Sequence, residues 1–188
     1  VGAGMEIFEP SGNMIIDIGG GTTDVAVLSM GDVVTSQSLK VAGDKFDTDI
    51  TTYIKDQYKL LIGERTAEQI KTTIGTVRPD QFNETIDIRG RDMVSGLPET
   101  IEVTSQEVAD ALQESIELIV QSAKSVLEQT PPELSADIID RGVFLTGGGA
   151  LLNGLDQLMS DALQVPVFVA EEPLDCVVRG TGTLISKM

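Results

Sequence analysis

The chain opens with short apolar runs that are separated by turn-forming residues. The first run lies at 14–18 and resumes at 25–27, after a break made of glycines. Gly31-Asp32 marks a second turn, and apolar and polar residues alternate through 33–40 as they do in a half-buried strand. We therefore predict a three-stranded meander over residues 13–40.

Further along the chain, apolar residues recur at the i, i+3 and i+4 spacing of an amphipathic helix. This spacing predicts helices at about 44–58, at about 105–129 and, after a strand at 142–146, at 150–163. A buried strand is predicted at 165–170.

Two threonines carry the capping-box signature of a helix start. Thr104 is followed by Glu107, ahead of the longest predicted helix. Thr66 is followed by Gln69, ahead of a shorter helix with an apolar face. We predict a side-chain cap at both positions.

The middle of the chain has helices and a hairpin of its own. Strands are predicted at 85–89 and 99–103, on either side of a turn-rich stretch. We therefore predict an inserted outer subdomain at 44–104, within an inner subdomain made of residues 1–43 and 105–188.

Composition excludes several classes of function. The formal net charge of −17 argues against a nucleic-acid-binding surface and against electrostatic docking on anionic lipid. The 188 residues include no histidine, so Ser-His-Asp catalysis and histidine metal sites are excluded. Cys176 is the single cysteine, which excludes an internal disulfide and fits a reducing compartment. No apolar run approaches the roughly 20 residues of a membrane span.

Three consecutive glycines, Gly19–Gly21, connect the first two predicted strands. A plain hairpin needs one or two residues at positive φ, and each further glycine costs roughly 0.5–1 kcal/mol relative to alanine. Close approach of an anion to successive N–H groups would offset that cost. Thr22 and Thr23 add hydroxyl donors, and Asp17 can face a phosphate-bound Mg²⁺ through water. The alternative is a glycine-rich turn without a ligand.

A second triple glycine, Gly147–Gly149, lies between the strand at 142–146 and the helix at 150–163. Such glycines let a flat or anionic ligand approach the start of a helix. The Rossmann fingerprint does not fit, because Leu152 stands where a third glycine or an alanine is needed. A P-loop does not fit either, because no Gly-Lys-Ser/Thr follows. The alternative is a tight strand-to-helix connection.

Four stretches together resemble a known family. DIGGGTTDVAV at 17–27 and LTGGGALLNGL at 145–155 resemble the second phosphate motif and the adenosine motif of actin-like ATPases. GERTAE at 63–68 and TPPEL at 130–134 are typical of the bacterial branch. The chain thus resembles the C-terminal lobe of the MreB/Mbl family. The resemblance implies an actin-like (RNase H-like) α/β lobe, with a mixed sheet flanked by helices and a smaller inserted α+β subdomain.

The same resemblance implies ATP and Mg²⁺ as ligands. The first glycine turn would bind the β- and γ-phosphates and the second the adenosine and α-phosphate, while GERTAE falls where the family contacts ribose and adenine. Asp17 would bind Mg²⁺ through water. Without the resemblance, Glu64 and Arg65 would be a solvated pair at a helix start. The predicted nucleotide-binding residues are Gly19, Gly20, Gly21, Thr22, Thr23, Glu64, Arg65, Thr66, Ala67, Gly147, Gly148, Gly149 and Ala150.

For the whole protein, the resemblance implies a cytoplasmic ATPase that polymerises into filaments at the inner face of the cell membrane and directs cell-wall synthesis and rod shape. Its implied partners are further copies of itself and membrane-bound cell-shape and wall-synthesis proteins, without nucleic acid and without membrane insertion by this lobe. The first phosphate loop and the water-orienting glutamate are expected upstream of Val1, so we expect this chain alone to hydrolyse ATP negligibly. A small-molecule kinase and a DnaK-type chaperone of the same superfamily are the alternatives.

Overall fold

The computed structural model describes residues 12–170, so Val1 and Cys176 lie outside the described residues. The described chain groups into two compact units. The first comprises residues 12–43, 117–151 and 156–170, and the second comprises residues 44–116 and 152–155. The division into inner and outer subdomains at 44 and 104 stays a prediction.

The secondary structure within residues 12–170 alternates strands with helices. The strands are β1 (Asn13–Ile18), β2 (Thr23–Ser29), β3 (Asp32–Leu39), β4 (Leu60–Leu61), β5 (Thr85–Asp92), β6 (Pro98–Thr104), β7 (Val143–Thr146) and β8 (Val167–Val169). The α-helices are α1 (Gly43–Tyr58), α2 (Glu64–Ile74), α3 (Ser105–Gln129), α4 (Pro132–Arg141) and α5 (Leu155–Leu163), and a 3₁₀ turn spans Gly148–Leu151. None of these helices has the length and apolar character needed to cross a membrane.

The first unit is built on a five-stranded mixed sheet in the order β3-β2-β1-β7-β8. β1, β2 and β3 form the antiparallel meander that the sequence predicts. β7 then pairs in parallel with β1, and β8 pairs in parallel with β7. The predicted mixed α/β sheet is therefore confirmed.

The core of the first unit lies against β1, the central strand of that sheet. Met14, Ile16 and Ile18 alternate along β1 and are fully buried. Their cross-strand neighbours on β2 are also apolar and fully buried, since Ile16 pairs with Val25 and Met14 with Val27. This period-two burial on both strands fixes the register, because a shift by one residue would expose the whole apolar set.

The second unit has a smaller antiparallel sheet in the order β4-β5-β6, together with α1, α2 and the first half of α3. Ser105 is fully buried at the start of α3 and joins three segments of this unit. Its hydroxyl donates to the carbonyl of Ile74 at 2.9 Å and accepts from the amide of Glu84 at 2.9 Å. The loop between α2 and β5 is therefore held against the start of α3.

One predicted helix cap is confirmed and the other is wrong. The Thr104 hydroxyl accepts from the amide of Glu107 at 3.2 Å, and the Glu107 carboxylate accepts from the amide of Thr104 at 3.0 Å. In contrast, α2 begins at Glu64 with Gly63 at its N-cap and without a side-chain cap. Thr66 thus lies inside the first turn of the helix, because the helical conformation extends further toward the N-terminus than the capping pattern indicated.

The helix predicted at 150–163 begins later than expected. Residues 148–151 form a 3₁₀ turn, and α5 starts only at Leu155. The interruption has a tertiary cause, since the carbonyl of Asn153 accepts from the amide of Val77 at 2.9 Å and Gly154 adopts a φ of 78°. A continuous helix could not present that carbonyl to a distant segment.

We predict that Thr104→Ala lowers the stability of the folded protein. Loss of the reciprocal cap at α3 should cost about 1 kcal/mol, which is about 2–4 °C in the thermal midpoint of a protein of this size. Circular dichroism during heating measures that midpoint. Gln113→Ala, at an exposed position on the same helix, is the control, and an equal midpoint for the two variants would contradict the role of the cap.

Candidate functional site

The two triple-glycine turns lie side by side at one edge of the five-stranded sheet. β1 and β7 are parallel neighbours, so both strands end at the same edge, with Asp17 opposite Thr146. The turn Gly19–Gly21 follows β1, and Gly147–Gly149 follows β7. Residues 129 positions apart in the chain are thereby brought into hydrogen-bonding contact.

Two of these glycines are required by the packing of the protein itself. Gly147 has a φ of 86°, and a Cβ there would lie 2.6 Å from Oδ1 of Asp17 and closer still to the carbonyl of Ile18. At Gly149, a Cβ would overlap the Ile18 side chain. The second turn can therefore close over β1 only without side chains at these two positions.

Two other glycines have no such requirement. A Cβ built on Gly21 or on Gly148 would have no protein atom within 4 Å, and both residues are exposed. Neither lies among the described glycines at positive φ, and Gly19 and Gly20 do not either. The first turn instead closes through the amide of Gly19, which donates to the carbonyl of Thr22 at 3.0 Å. Neither backbone conformation nor packing explains glycine at 21 and 148.

Asp17 lies between the two turns, at the end of β1. Its Oδ1 accepts a hydrogen bond from the hydroxyl of Thr146 at 3.3 Å, and Thr146 is buried. Burial raises the pKa of Asp17; the Thr146 hydrogen bond opposes that rise, and the nearby charge of Asp24 adds to it. Sequence reasoning missed Thr146, because only the parallel register reveals which residue lies beside Asp17.

The two threonines after the first turn have different surroundings. Thr22 is exposed, and its hydroxyl lies 3.5 Å from the carboxylate of Asp24. Thr23 is fully buried, and its hydroxyl donates to the carbonyl of Val41 at 2.6 Å. The Thr23 hydroxyl therefore stabilises the fold by joining β2 to the chain after β3, and the assignment of this residue to phosphate stays a prediction.

The predicted residues Glu64, Arg65, Thr66 and Ala67 form the first turn of α2, in the second unit. Glu64 and Arg65 are exposed, Thr66 is half-buried, and Ala67 is fully buried. Glu64 also lines a pocket of about 320 Å³ in this unit. Its other lining residues, which sequence reasoning missed, are Asp44, Asp47, Thr48 and Thr51 on α1.

The pocket beside Glu64 is strongly acidic. Carboxylate oxygens of Asp44, Asp47 and Glu64 lie within 4.8 Å of one another. Asp47 is buried and pairs with the ammonium of Lys71 at 2.9 Å. Three carboxylates against one ammonium suit a ligand that donates hydrogen bonds, such as a sugar hydroxyl, or a cation. The spacing of residues 44, 47, 48 and 51 on one helix face was the available sequence signal.

Comparison with known proteins assigns the whole chain to one group. The family model described as MreB/Mbl protein matches residues 1–188. The cell shape-determining protein Mbl of Bacillus subtilis is 70% identical over 188 residues, which are 100% of this chain and 56% of that protein. The cell shape-determining protein MreB of Escherichia coli is 48% identical over 182 residues, 97% of this chain and 52% of that protein. The chain thus spans about half the length of these relatives.

Solved structures agree with that assignment. MreB5 of Spiroplasma citri bound to ADP superposes with a TM-score of 0.94 at 43% identity, covering 98% of this chain and 56% of that chain. The same protein bound to AMPPNP gives a TM-score of 0.93. A MamK double helical filament, at 22% identity, gives a TM-score of 0.77 over 94% of this chain and 55% of that chain, and it shows the shared fold alone.

We predict that alanine is tolerated at Gly148 and not at Gly149. Gly149→Ala should cost about 1–3 kcal/mol because the added methyl group overpacks Ile18. Gly148→Ala should change stability by less than about 0.5 kcal/mol, since its Cβ would meet open space. Thermal midpoints of the two variants measure the difference. Equal midpoints would show that the second turn does not pack against β1 as described.

Proposed function

This chain belongs to the MreB/Mbl family of actin-like, cell shape-determining proteins, and from that premise we propose that it is the nucleotide-binding lobe of a polymerising ATPase. The observation that carries the proposal is the pair of glycine turns at the ends of β1 and β7, with Asp17 between them. The kinase and chaperone alternatives are not favoured, because the family model spans residues 1–188.

Phosphate binding is proposed for the two turns. Glycine at 21 and 148 is unexplained by the protein's own packing, and close approach of a ligand to the main chain is one physical reason for the absence of a side chain. Main-chain N–H groups in such turns attract anions. The turn at Gly19–Gly21 would hold the β- and γ-phosphates and the turn at Gly147–Gly149 the α-phosphate. The ADP- and AMPPNP-bound MreB5 structures support this proposal.

A magnesium ion fits the surroundings of Asp17. Mg²⁺ binds through one or two carboxylates, substrate phosphates and its own waters. Asp17 supplies one carboxylate at the point where both phosphate turns meet. When bound, Mg²⁺ would neutralise charge on the phosphate oxygens during phosphoryl transfer. A cation there would also offset the cost of burying the ionised carboxylate.

Each unit offers, by itself, a feature suited to contact with a nucleoside. In the second unit, Glu64 and the acidic pocket beside it can accept hydrogen bonds from ribose hydroxyls. In the first unit, Leu151 ends the 3₁₀ turn after Gly148 and is 67% exposed. An exposed leucine next to a phosphate turn offers apolar surface to a base. Arg65, Thr66 and Ala67 stay predicted neighbours of the nucleoside.

Hydrolysis needs a group that orients the attacking water. We assign no residue of this chain to that role, and we propose that another part of the full-length protein supplies it together with the first phosphate loop. The residues described here would hold the phosphates and Mg²⁺ in place. Turnover by this chain alone should therefore be negligible.

Self-association is the second part of the proposed function. The turn between β5 and β6 exposes three apolar side chains, with Met93 44%, Val94 88% and Leu97 64% exposed. This turn is ordered, because Oδ1 of Asp92 accepts from the amides of Val94 and Ser95 at 2.7 and 2.8 Å. An ordered, exposed apolar turn is typical of a protein contact. The MamK filament shows that this fold assembles in another protein.

In the cell, we propose that these filaments lie in the cytoplasm at the inner face of the membrane and guide cell-wall synthesis and rod shape. The similarity of this chain to Mbl and MreB, which are named as cell shape-determining proteins, supports that role. The proposed partners are further copies of the protein and membrane-bound cell-shape and wall-synthesis proteins. The net charge of −17 argues against nucleic acid as a partner.

We predict that Asp17→Ala removes the Mg²⁺-dependent part of nucleotide binding in the full-length protein. Binding of a fluorescent ATP analogue should weaken by about tenfold or more in Mg²⁺, at least ~1.4 kcal/mol, and should change little in EDTA. Asp32→Ala removes the same charge at the far end of the β2–β3 hairpin and is the control. Full Mg²⁺ dependence in Asp17→Ala would refute the metal assignment.

We predict that Val94→Asp impairs polymerisation without impairing nucleotide binding. A charge at this exposed apolar position must be desolvated in a subunit contact, so the critical concentration measured by ATP-dependent sedimentation should rise about fivefold or more. Thr52→Asp, at an exposed position on α1 in the same unit, adds the same charge and should polymerise normally. Wild-type sedimentation of Val94→Asp would exclude this turn from the contact.

A further inference from the structure

The hydroxyl of Thr146 is directed at the carboxylate of Asp17. Thr146 is the last residue of β7 and the parallel partner of Asp17 on β1. It is 3% exposed, and its Oγ1 donates to Oδ1 of Asp17 at 3.3 Å. A β-branched side chain at a strand end has few rotamers, so the direction of this donor is well defined.

Oδ1 of Asp17 also lies beside Gly147, the residue that follows Thr146. A Cβ on Gly147 would lie 2.6 Å from this oxygen, so Oδ1 occupies the space that a side chain at 147 would need. The hydroxyl of Thr146 therefore donates to an oxygen that lies in the space left open by the glycine at 147. Intermediate rotations of the Asp17 carboxylate about its terminal bond would break the hydrogen bond, and a half-turn would only exchange its two equivalent oxygens.

We propose that Thr146 is a positioning residue, which holds Oδ1 of Asp17 so that Oδ2 is presented to Mg²⁺ and its waters. This inference rests on the proposed function, since it concerns the same carboxylate. Groups that orient a metal-binding side chain typically change metal affinity by about 10–100-fold when they are removed. The 3.3 Å hydrogen bond is longer than average, so we expect an effect near the lower end.

A purely structural role predicts a different result. A buried hydroxyl that only stabilises the fold would affect nucleotide binding equally with and without Mg²⁺. The chain offers a matched control in Thr130, which lies in the same unit and is also buried. Its hydroxyl donates to the carbonyl of Val126 at 2.7 Å, and its partner is not a carboxylate.

The test is a Mg²⁺ titration of nucleotide binding by the full-length protein, using a fluorescent ATP analogue and a parallel series in EDTA. Thr146→Val removes the hydroxyl at nearly constant volume, and Thr146→Ser retains it. We expect Thr146→Val to raise the Mg²⁺ midpoint about tenfold, with binding in EDTA unchanged within about twofold. Thr146→Ser and Thr130→Val should keep the wild-type midpoint. If Thr146→Val does not fold, Thr146→Ala is compared with Thr146→Ser in the same way.

Two results overturn the inference and leave the proposed function intact. The first is a wild-type Mg²⁺ midpoint in Thr146→Val while Asp17→Ala has lost its response to Mg²⁺. The second is a loss of nucleotide binding by Thr146→Val that is equally large in Mg²⁺ and in EDTA. If Asp17→Ala itself keeps the wild-type response, the metal assignment in the proposed function is wrong and the role of Thr146 fails with it.

Discussion

The parallel pairing of β1 with β7 is the constraint on which the candidate site depends. It places Asp17 opposite Thr146 and makes both strands end at one edge of the sheet. Parallel strands need a long crossover, and here the intervening chain includes residues 44–116 of the second unit and all of α3. One register therefore decides which glycines, which carboxylate and which hydroxyl share the edge.

The glycines at that edge differ in what surrounds them. Gly147 and Gly149 let the second turn close over β1, because side chains there would collide with Asp17 and Ile18. Gly21 and Gly148 have open space around them. Under the proposed function, stability would depend on Gly147 and Gly149, and close approach of the ligand would depend on Gly21 and Gly148. The two threonines differ in a similar way, since the hydroxyl of Thr23 donates to the main chain of Val41 whereas Thr22 is exposed.

Most elements were predictable from local pattern, and the errors have tertiary causes. The meander and α3 follow from period-two and helical spacing, and the cap at Thr104 follows from its own local hydrogen bonds. The start of α5 was misplaced because Asn153 is engaged by a residue 76 positions away. The two-residue strand β4 was missed because it exists only through its pairing with β5. Both depend on contacts that carry no local signal.

By itself, the sequence determined the class of the fold and the two glycine turns, and it identified Asp17 as a candidate site residue, because strand period and glycine clusters are properties of neighbouring residues. Only the tertiary structure decided that Thr146 lies against Asp17, and that Glu64 shares an acidic pocket with Asp44 and Asp47. It also decided which glycines are needed for packing. These are relations between segments far apart in the chain, and they are set by sheet register and helix docking.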